Sequence, residues 1–145
     1  MLQKERPELS CVQLPLIMNV EQGEEIARFL QNIPDLVGLY STCGRHSCSM
    51  LGAMKQLGLR DLPVIATGLF EESYQALHDR SLTVVLDKRP QKIGFMAVDL
   101  LLNALLRGKS LPDGYAVPPR LIIRSNSDVH YVKREYQHEL EQYSD

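Results

Sequence analysis

Short apolar runs alternate along the chain with longer stretches whose apolar residues recur at helical spacing. Residues 36–40 (LVGLY), 63–66 (PVIA) and 82–86 (LTVVL) are nearly all apolar and lie between polar, Pro- or Gly-containing segments. Such runs predict strands buried on both faces. Residues 10–17 (SCVQLPLI) place apolar side chains at 12, 14 and 16, an extended run in which Pro15 favours an edge position or a strand end. Helical periodicity runs through 21–31, with Glu24 and Glu25 near its start, where carboxylates suit the helix dipole. It returns at 47–57, where Met50, Leu51, Met54 and Leu57 share a face and Gly58 is a stop signal. A short helix follows at 71–78. The longest, 91–106, comes directly after Pro90, a residue suited to the first helical turn, and ends before Gly108. Residues 111–119 form a Pro/Gly-rich loop, 120–124 (RLIIR) a last strand, and the stretch from His130 to Tyr143 is polar, a helix being one reading of it.

Strand–helix–strand alternation with short connections predicts an α/β fold, a parallel sheet with helices on both faces. Ligands of such folds bind beyond the carboxyl ends of the strands. Those ends are small or polar clusters: Ser41, Thr42 and Cys43; Thr67 and Gly68; Asp87, Lys88 and Arg89. The 91–106 helix is apolar over most of its circumference, with Ile93, Phe95, Met96, Val98, Leu101, Leu102, Leu105 and Leu106 among its residues. A helix of that kind needs cover on more than one side.

The 145 residues make one domain, 44% apolar, with a formal net charge of −2. Lys88, Arg89 and Lys92 are too few and too local to make the basic stripe of a nucleic-acid-binding module. No apolar run reaches the roughly 20 residues of a membrane span, and residues 1–8 lack the apolar core of a secretion signal. Three cysteines, an odd number, do not suggest a disulfide framework. A cytoplasmic protein without membrane contact is expected. Cys43, His46 and Cys48 supply only three metal ligands at a spacing that fits no common zinc pattern, so no metal site is assigned. A Cys43 nucleophile with His46 as base, three residues apart across a strand–helix turn, has no evident carboxylate to orient the base. No Walker or dinucleotide phosphate loop is present, and no cofactor is expected. His78, His130 and His138 lie in polar stretches and are read as surface residues.

The order of these segments resembles the type I periplasmic-binding-protein fold. The likeness is carried by Pro34-Asp35-Leu36-Val37-Gly38-Leu39-Tyr40, by Leu57-Gly58-Leu59, and by Leu62-Pro63-Val64-Ile65-Ala66. The stretch Leu82 to Leu102, with Asp87-Lys88-Arg89-Pro90, Gly94 and Ala97-Val98, then resembles lactose-repressor-family regulators. Val117-Pro118-Pro119-Arg120-Leu121-Ile122-Ile123-Arg124 resembles their closing strand. The resemblance covers residues 34–127. It implies that residues 1–127 are part of a two-lobed ligand-binding domain, mainly its C-terminal lobe with crossover elements, followed by a polar tail over 128–145. It also implies that the helix after Pro90 crosses to the other lobe, so that in this chain its apolar face is expected to drive self-association.

What the resemblance implies about function is effector sensing by a transcription regulator that reads DNA through a helix-turn-helix head outside these residues. The alternative is a solute-binding component of a sugar transport system. Neither reading is enzymatic. Ser41, Thr42, Cys43, Thr67, Asp87 and Lys88 are the candidate ligand-binding residues. Each has a plainer alternative: the hydroxyls can cap the next helix, Asp87 can cap the helix after Pro90 or pair with a cation, and Lys88 can be solvated. Many relatives carry an acidic residue near Thr67-Gly68 and a Gln where Lys88 stands. A cation at that place points from neutral sugars towards a sugar acid or sugar phosphate. The expected partners are this small-molecule effector and a second copy of the chain, as a homodimer or higher assembly.

Overall fold

A computed structural model describes residues 2–14 and 22–131 of the protein. The elements run α1 (Leu2–Glu5), α2 (Gln22–Gln31), β1 (Leu39–Tyr40), α3 (Gly44–Leu57), β2 (Val64–Thr67), α4 (Glu71–His78), β3 (Val84–Asp87), α5 (Pro90–Arg107), β4 (Arg120–Ile122), a 3-10 turn (Arg124–Asn126) and α6 (Ser127–His130). One sheet takes the order β1-β2-β3-β4. The first two pairings are parallel, with Leu39 opposite Val64 and Ile65 opposite Val84. The third is antiparallel, Val85 opposite Ile122. This is the expected α/β architecture, its sheet parallel except for β4.

The register sorts side chains onto two unlike faces, because successive residues of a strand point to opposite sides. Val64, Ala66, Val85 and Ile122 fall on one face and are fully buried. Met50, Leu51 and Met54 of α3 and Ala76 and Leu77 of α4 close over them, with Leu82 completing the cluster. Ile26, Ala27 and Leu30 of α2 pack on Ala53 of α3 beside Leu36 and Leu39. The opposite face is open. Tyr40 is 57% and Leu121 62% exposed, while Ile65, Val84 and Leu86 are half-buried.

α3 and α4 cover the buried face of the sheet. Several expectations change accordingly. No residue of α5 is buried, and among the described residues it makes no extended contact with another element. Residues 36–40, expected to be buried on both faces, yield only a two-residue strand at the sheet edge, and Val37 and Tyr40 are exposed. Residues 10–14 of the expected first strand belong to no strand; no described strand pairs with them. Residues 15–17 of that run, Glu21 of the first helix, and 132–143 of the tail lie outside the described residues. The stops at Gly58 and Gly108 hold. Both residues adopt the left-handed conformation, at φ 66° and 63°, and their N–H groups bond back to the last turn.

The last described segment is tied to α4. Tyr131 stacks on Tyr74 with ring centroids 4.2 Å apart. The Tyr74 hydroxyl donates to Asp128 Oδ1 at 2.8 Å, and that hydrogen bond to a carboxylate raises the Tyr74 pKa. His78 Nε2 lies 3.1 Å from the Ser127 hydroxyl and 3.2 Å from Asp128 Oδ1. The Arg120 guanidinium meets His130 Nδ1 at 2.6 Å. His138 lies outside the described residues.

The division into a closed and an open face predicts where truncation destabilises. Leu77→Ala, at a side chain 1% exposed, should cost about 2–5 kcal/mol. Leu111→Ala, in the exposed loop, should cost less than about 0.5 kcal/mol. Urea unfolding of the two variants checks both.

Candidate ligand site at the carboxyl ends of the strands

Parallel pairing brings the loops after β1, β2 and β3 to one end of the sheet, and hydrogen bonds stitch them together there. Thr67 Oγ1 donates to the Ser41 carbonyl at 2.7 Å. The Ser47 hydroxyl, fully buried on the first turn of α3, accepts the Thr67 N–H at 2.8 Å. Its single proton faces the carbonyls of Cys43 at 2.9 Å and Thr67 at 3.1 Å. Gly68 N–H donates to Leu86 O at 3.0 Å. Lys88 Nζ spans from the third loop to the first and donates to Thr42 O at 2.8 Å.

The six sequence-derived candidates therefore stand together, but they divide by role. Ser41 and Thr67 are buried, and their hydroxyls are used inside the protein, Ser41 Oγ donating to Cys43 O at 3.1 Å. Cys43 is the N-cap residue of α3 in extended conformation, with no side-chain capping bond. Asp87 Oδ1 accepts the Arg89 N–H at 2.9 Å, which is the local turn that starts α5. Of the six, Thr42 and Lys88 are exposed, and the Lys88 ammonium has two further N–H donors. Arg89, half-buried, holds a left-handed conformation at φ 55° without being glycine. A non-glycine residue in that region costs on the order of 1 kcal/mol and is held by its surroundings.

Two residues at this end were not singled out from the sequence. Ser47 is the hydroxyl that joins two loops; its place at the start of a helix after Thr42-Cys43-Gly44 is the only sequence signal for it. Phe70 is the other. Its ring lies so close over Gly44 and Gly68 that an added Cβ would come within 2.5 Å and 2.4 Å of it. The two glycines make room for the ring, which remains 41% exposed. Gly68 also sits at φ 88°, a conformation glycine adopts freely.

Lys88, Arg89 and Arg45 bring positive charge to this end, with the Asp87 carboxylate beside them. Neither α3 nor α5 has an acidic residue in its first turn, whereas α2 and α4 each have two. At α5 the Asp87 carboxylate accepts the N–H of the N-cap residue Arg89 and compensates that end, while the N-terminal end of α3 adds its partial positive charge to Lys88, Arg89 and Arg45. Among the described residues no group of three or more His, Cys, Asp or Glu stands together as a metal site. Among them no hydrogen bond joins Cys43 Sγ to His46. A cavity of about 720 Å³ lies along the outer edge of β1, between residues 9–14 and α2. Its lining includes Ile26, Phe29, Leu30 and Ile65, and of the candidate loops it takes in only Ser41, Thr42 and His46.

No family model matches the chain, and no curated protein matches it. Solved structures do. A Bacteroides fragilis protein assigned as a LacI transcriptional regulator superposes over 90% of this chain at TM-score 0.74 and 19% identity. The periplasmic component of an ABC-type sugar transport system from Hahella chejuensis matches 70% of the chain at TM-score 0.64 and 25% identity. A periplasmic solute-binding protein from Actinobacillus succinogenes with bound D-allose matches 77% at TM-score 0.66 and 16% identity. The chain has a type I periplasmic-binding-protein-like fold. It spans 45%, 37% and 38% of those three chains, less than half of each. Regulator and transport proteins both occur among these neighbours, so the fold is shared by the two readings drawn from the sequence. No described helix is long and apolar enough to cross a membrane.

A thiol on α3 reports on the electrostatics beside this end of the sheet. Burial, then the charge of Glu72 and a 3.7 Å contact from Cys48 Sγ to its carboxylate, raise the Cys48 pKa above the ordinary thiol value. The thiolate is the reactive form, so alkylation of Cys48 should be slow at neutral pH and should accelerate only in the alkaline range. Glu72→Gln removes two of the three raising causes, and the rate–pH curve of Cys48 should move to lower pH. Site-resolved mass spectrometry of iodoacetamide labelling measures this; an unmoved curve contradicts the assigned cause.

Proposed function

We propose that this chain is the effector-binding part of a lactose-repressor-type transcription regulator, and that its ligand is a sugar derivative carrying a negative charge. The observation that carries the reading is the Lys88 ammonium, held across the mouth of the strand ends by the Thr42 carbonyl, with donors to spare. The start of α3, with no acidic residue in its first turn, lies at the same end. A carboxylate or phosphate there gains charge-assisted hydrogen bonds, while Thr42 offers a hydroxyl and Phe70 an exposed ring face to the sugar part. The sugar assignment is supported by the D-allose held by one structural neighbour and by the sugar transport component among the others.

The chain binds rather than catalyses, in this reading, and works in the cytoplasm. Its partners are the small-molecule effector, a second copy of the chain, and DNA through a head outside these residues. Ligand binding acts on DNA affinity only if the two states of the cleft offer it different contacts. The second reading, a solute-binding component of a sugar transport system, is favoured by the same neighbours and shares the site. The two part on DNA: the full-length regulator should release or grip its operator when the effector is added, and a transport component should do neither.

A thermal-shift series with neutral aldoses, aldonic acids and sugar phosphates tests the ligand class, since a ligand of the native state raises apparent stability. Acids or phosphates should stabilise the protein. Lys88→Gln should weaken that effect by about tenfold in affinity, the scale of a lost charge-assisted bond. Stabilisation by neutral sugars alone overturns the anionic assignment, and no response to any sugar derivative overturns the sugar reading.

A further inference from the structure

The short helix α6 is held in place by polar contacts more than by apolar cover. Of its residues only Ser127 is buried, and Val129 is 81% exposed. Its start is pinned to α4 and to the turn before it. The Ser127 hydroxyl donates to Arg124 O at 3.0 Å, and Asp128 accepts the Tyr74 hydroxyl and lies beside His78. Its end is tied to β4 instead, where the Arg120 guanidinium reaches Nδ1 of His130 and both side chains are half-buried.

The chemistry of that last contact fixes a protonation state. A guanidinium has N–H donors, no acceptor and a permanent charge. Nδ1 of His130 therefore presents its lone pair, and the neutral ring carries its proton on Nε2. An imidazolium has an N–H at both nitrogens. Protonating His130 replaces a charge-assisted hydrogen bond with two cations in contact. His78 responds in the opposite sense. The Ser127 hydroxyl spends its proton on Arg124 O, so Nε2 of His78 holds the hydrogen that faces Ser127 Oγ and Asp128 Oδ1. A second proton on His78 adds attraction to the Asp128 carboxylate. The other charged or titratable groups on the elements that meet here are Arg124, Tyr74, Glu71 and Tyr131, whose hydroxyl donates to Glu71. Guanidinium, phenol and carboxylate groups ordinarily keep their charge state between about pH 7.5 and about pH 5.5, whereas imidazole changes its own.

We propose that His130 is a pH-sensitive latch on the end of α6. Neutral, it anchors that end to β4 through Arg120. Protonated, it releases the end while Asp128 keeps the start of the helix on α4. The latch governs the point from which the chain continues past Tyr131. It is independent of what the strand-end site binds.

Hydrogen exchange at the Tyr131 amide reads the latch, because that N–H donates to Ser127 O at 2.8 Å and closes the end of α6. Between about pH 7.5 and about pH 5.5 its protection, corrected for the intrinsic pH dependence of exchange, should fall about tenfold, the scale of a lost charge-assisted bond. Far-UV circular dichroism should stay constant over the same range. His130→Gln keeps an acceptor for Arg120 and cannot titrate, so its protection should not change with pH. Arg120→Gln removes the repelling charge and should likewise abolish the fall. His78→Gln should leave the fall in place. Wild-type protection that is constant or rises on acidification overturns the proposal. An equal fall in His130→Gln or Arg120→Gln overturns it as well and assigns the response to another group. A fall abolished by His78→Gln assigns it to His78 and overturns the latch at His130.

Discussion

The structure depends on burying one face of a small sheet. Val64, Ala66, Val85 and Ile122 reach complete burial because α3 and α4 lie over them and contribute Met50, Leu51, Met54 and Leu77. Two right-handed strand–helix–strand units are the way to put both helices on that side of β1, β2 and β3. The same constraint fixes the strands as parallel and sends their three following loops to one end. The candidate site is thus a consequence of core packing: Thr42, Gly68 and Lys88 meet because Val64, Ala66 and Val85 must be covered.

At that end, hydrogen bonding supplies what apolar packing cannot. Thr67 and Ser47 hold the first two loops together from within, and Lys88 ties the third to the first from outside. The buried hydroxyls give rigidity, and the exposed groups are left for recognition. This separation is why we read the site as an anion receptor rather than a catalytic centre. Ser41, Thr67 and Asp87 are committed to the backbone, Lys88 carries positive charge, Thr42 leaves its hydroxyl exposed, and the cysteine at the edge acts through its carbonyl and its backbone conformation.

Most of the closed layer was legible in the sequence. The helix at 71–78 and the glycine stops at 58 and 108 follow from local spacing and from backbone conformations that glycine adopts freely. Residues 82–86 signal a strand that forms slightly later, as β3, because pairing with β2 sets its register. What the sequence could not settle was cover. The composition of 36–40 suits a buried strand, but only tertiary neighbours decide burial, and these residues stand at an edge. The run at 10–14 has strand alternation and no described strand beside it. The apolar girth of α5 was plain, and its lack of burial within the chain goes with the same pattern. For the site, chain order alone brings all six candidates to one end of the sheet. Which hydroxyls would turn inward depended on distances such as that from Thr67 Oγ1 to Ser41 O, and a linear pattern does not contain them. Phe70 escaped notice because an aromatic residue before a helix is ordinarily core, and its ring is placed by the two glycines it covers.

The central claim is that ligand is received at the carboxyl ends of β1, β2 and β3, by the exposed groups of their loops. Backbone amide chemical shifts, followed while the protein is titrated with an aldonic acid or a sugar phosphate, address it directly. The account predicts saturable changes at Thr42, Gly68, Phe70, Lys88 and Arg89, with residues 9–14 and α2 unaffected. Changes confined to the groove between residues 9–14 and β1, or none at the strand ends, would contradict it.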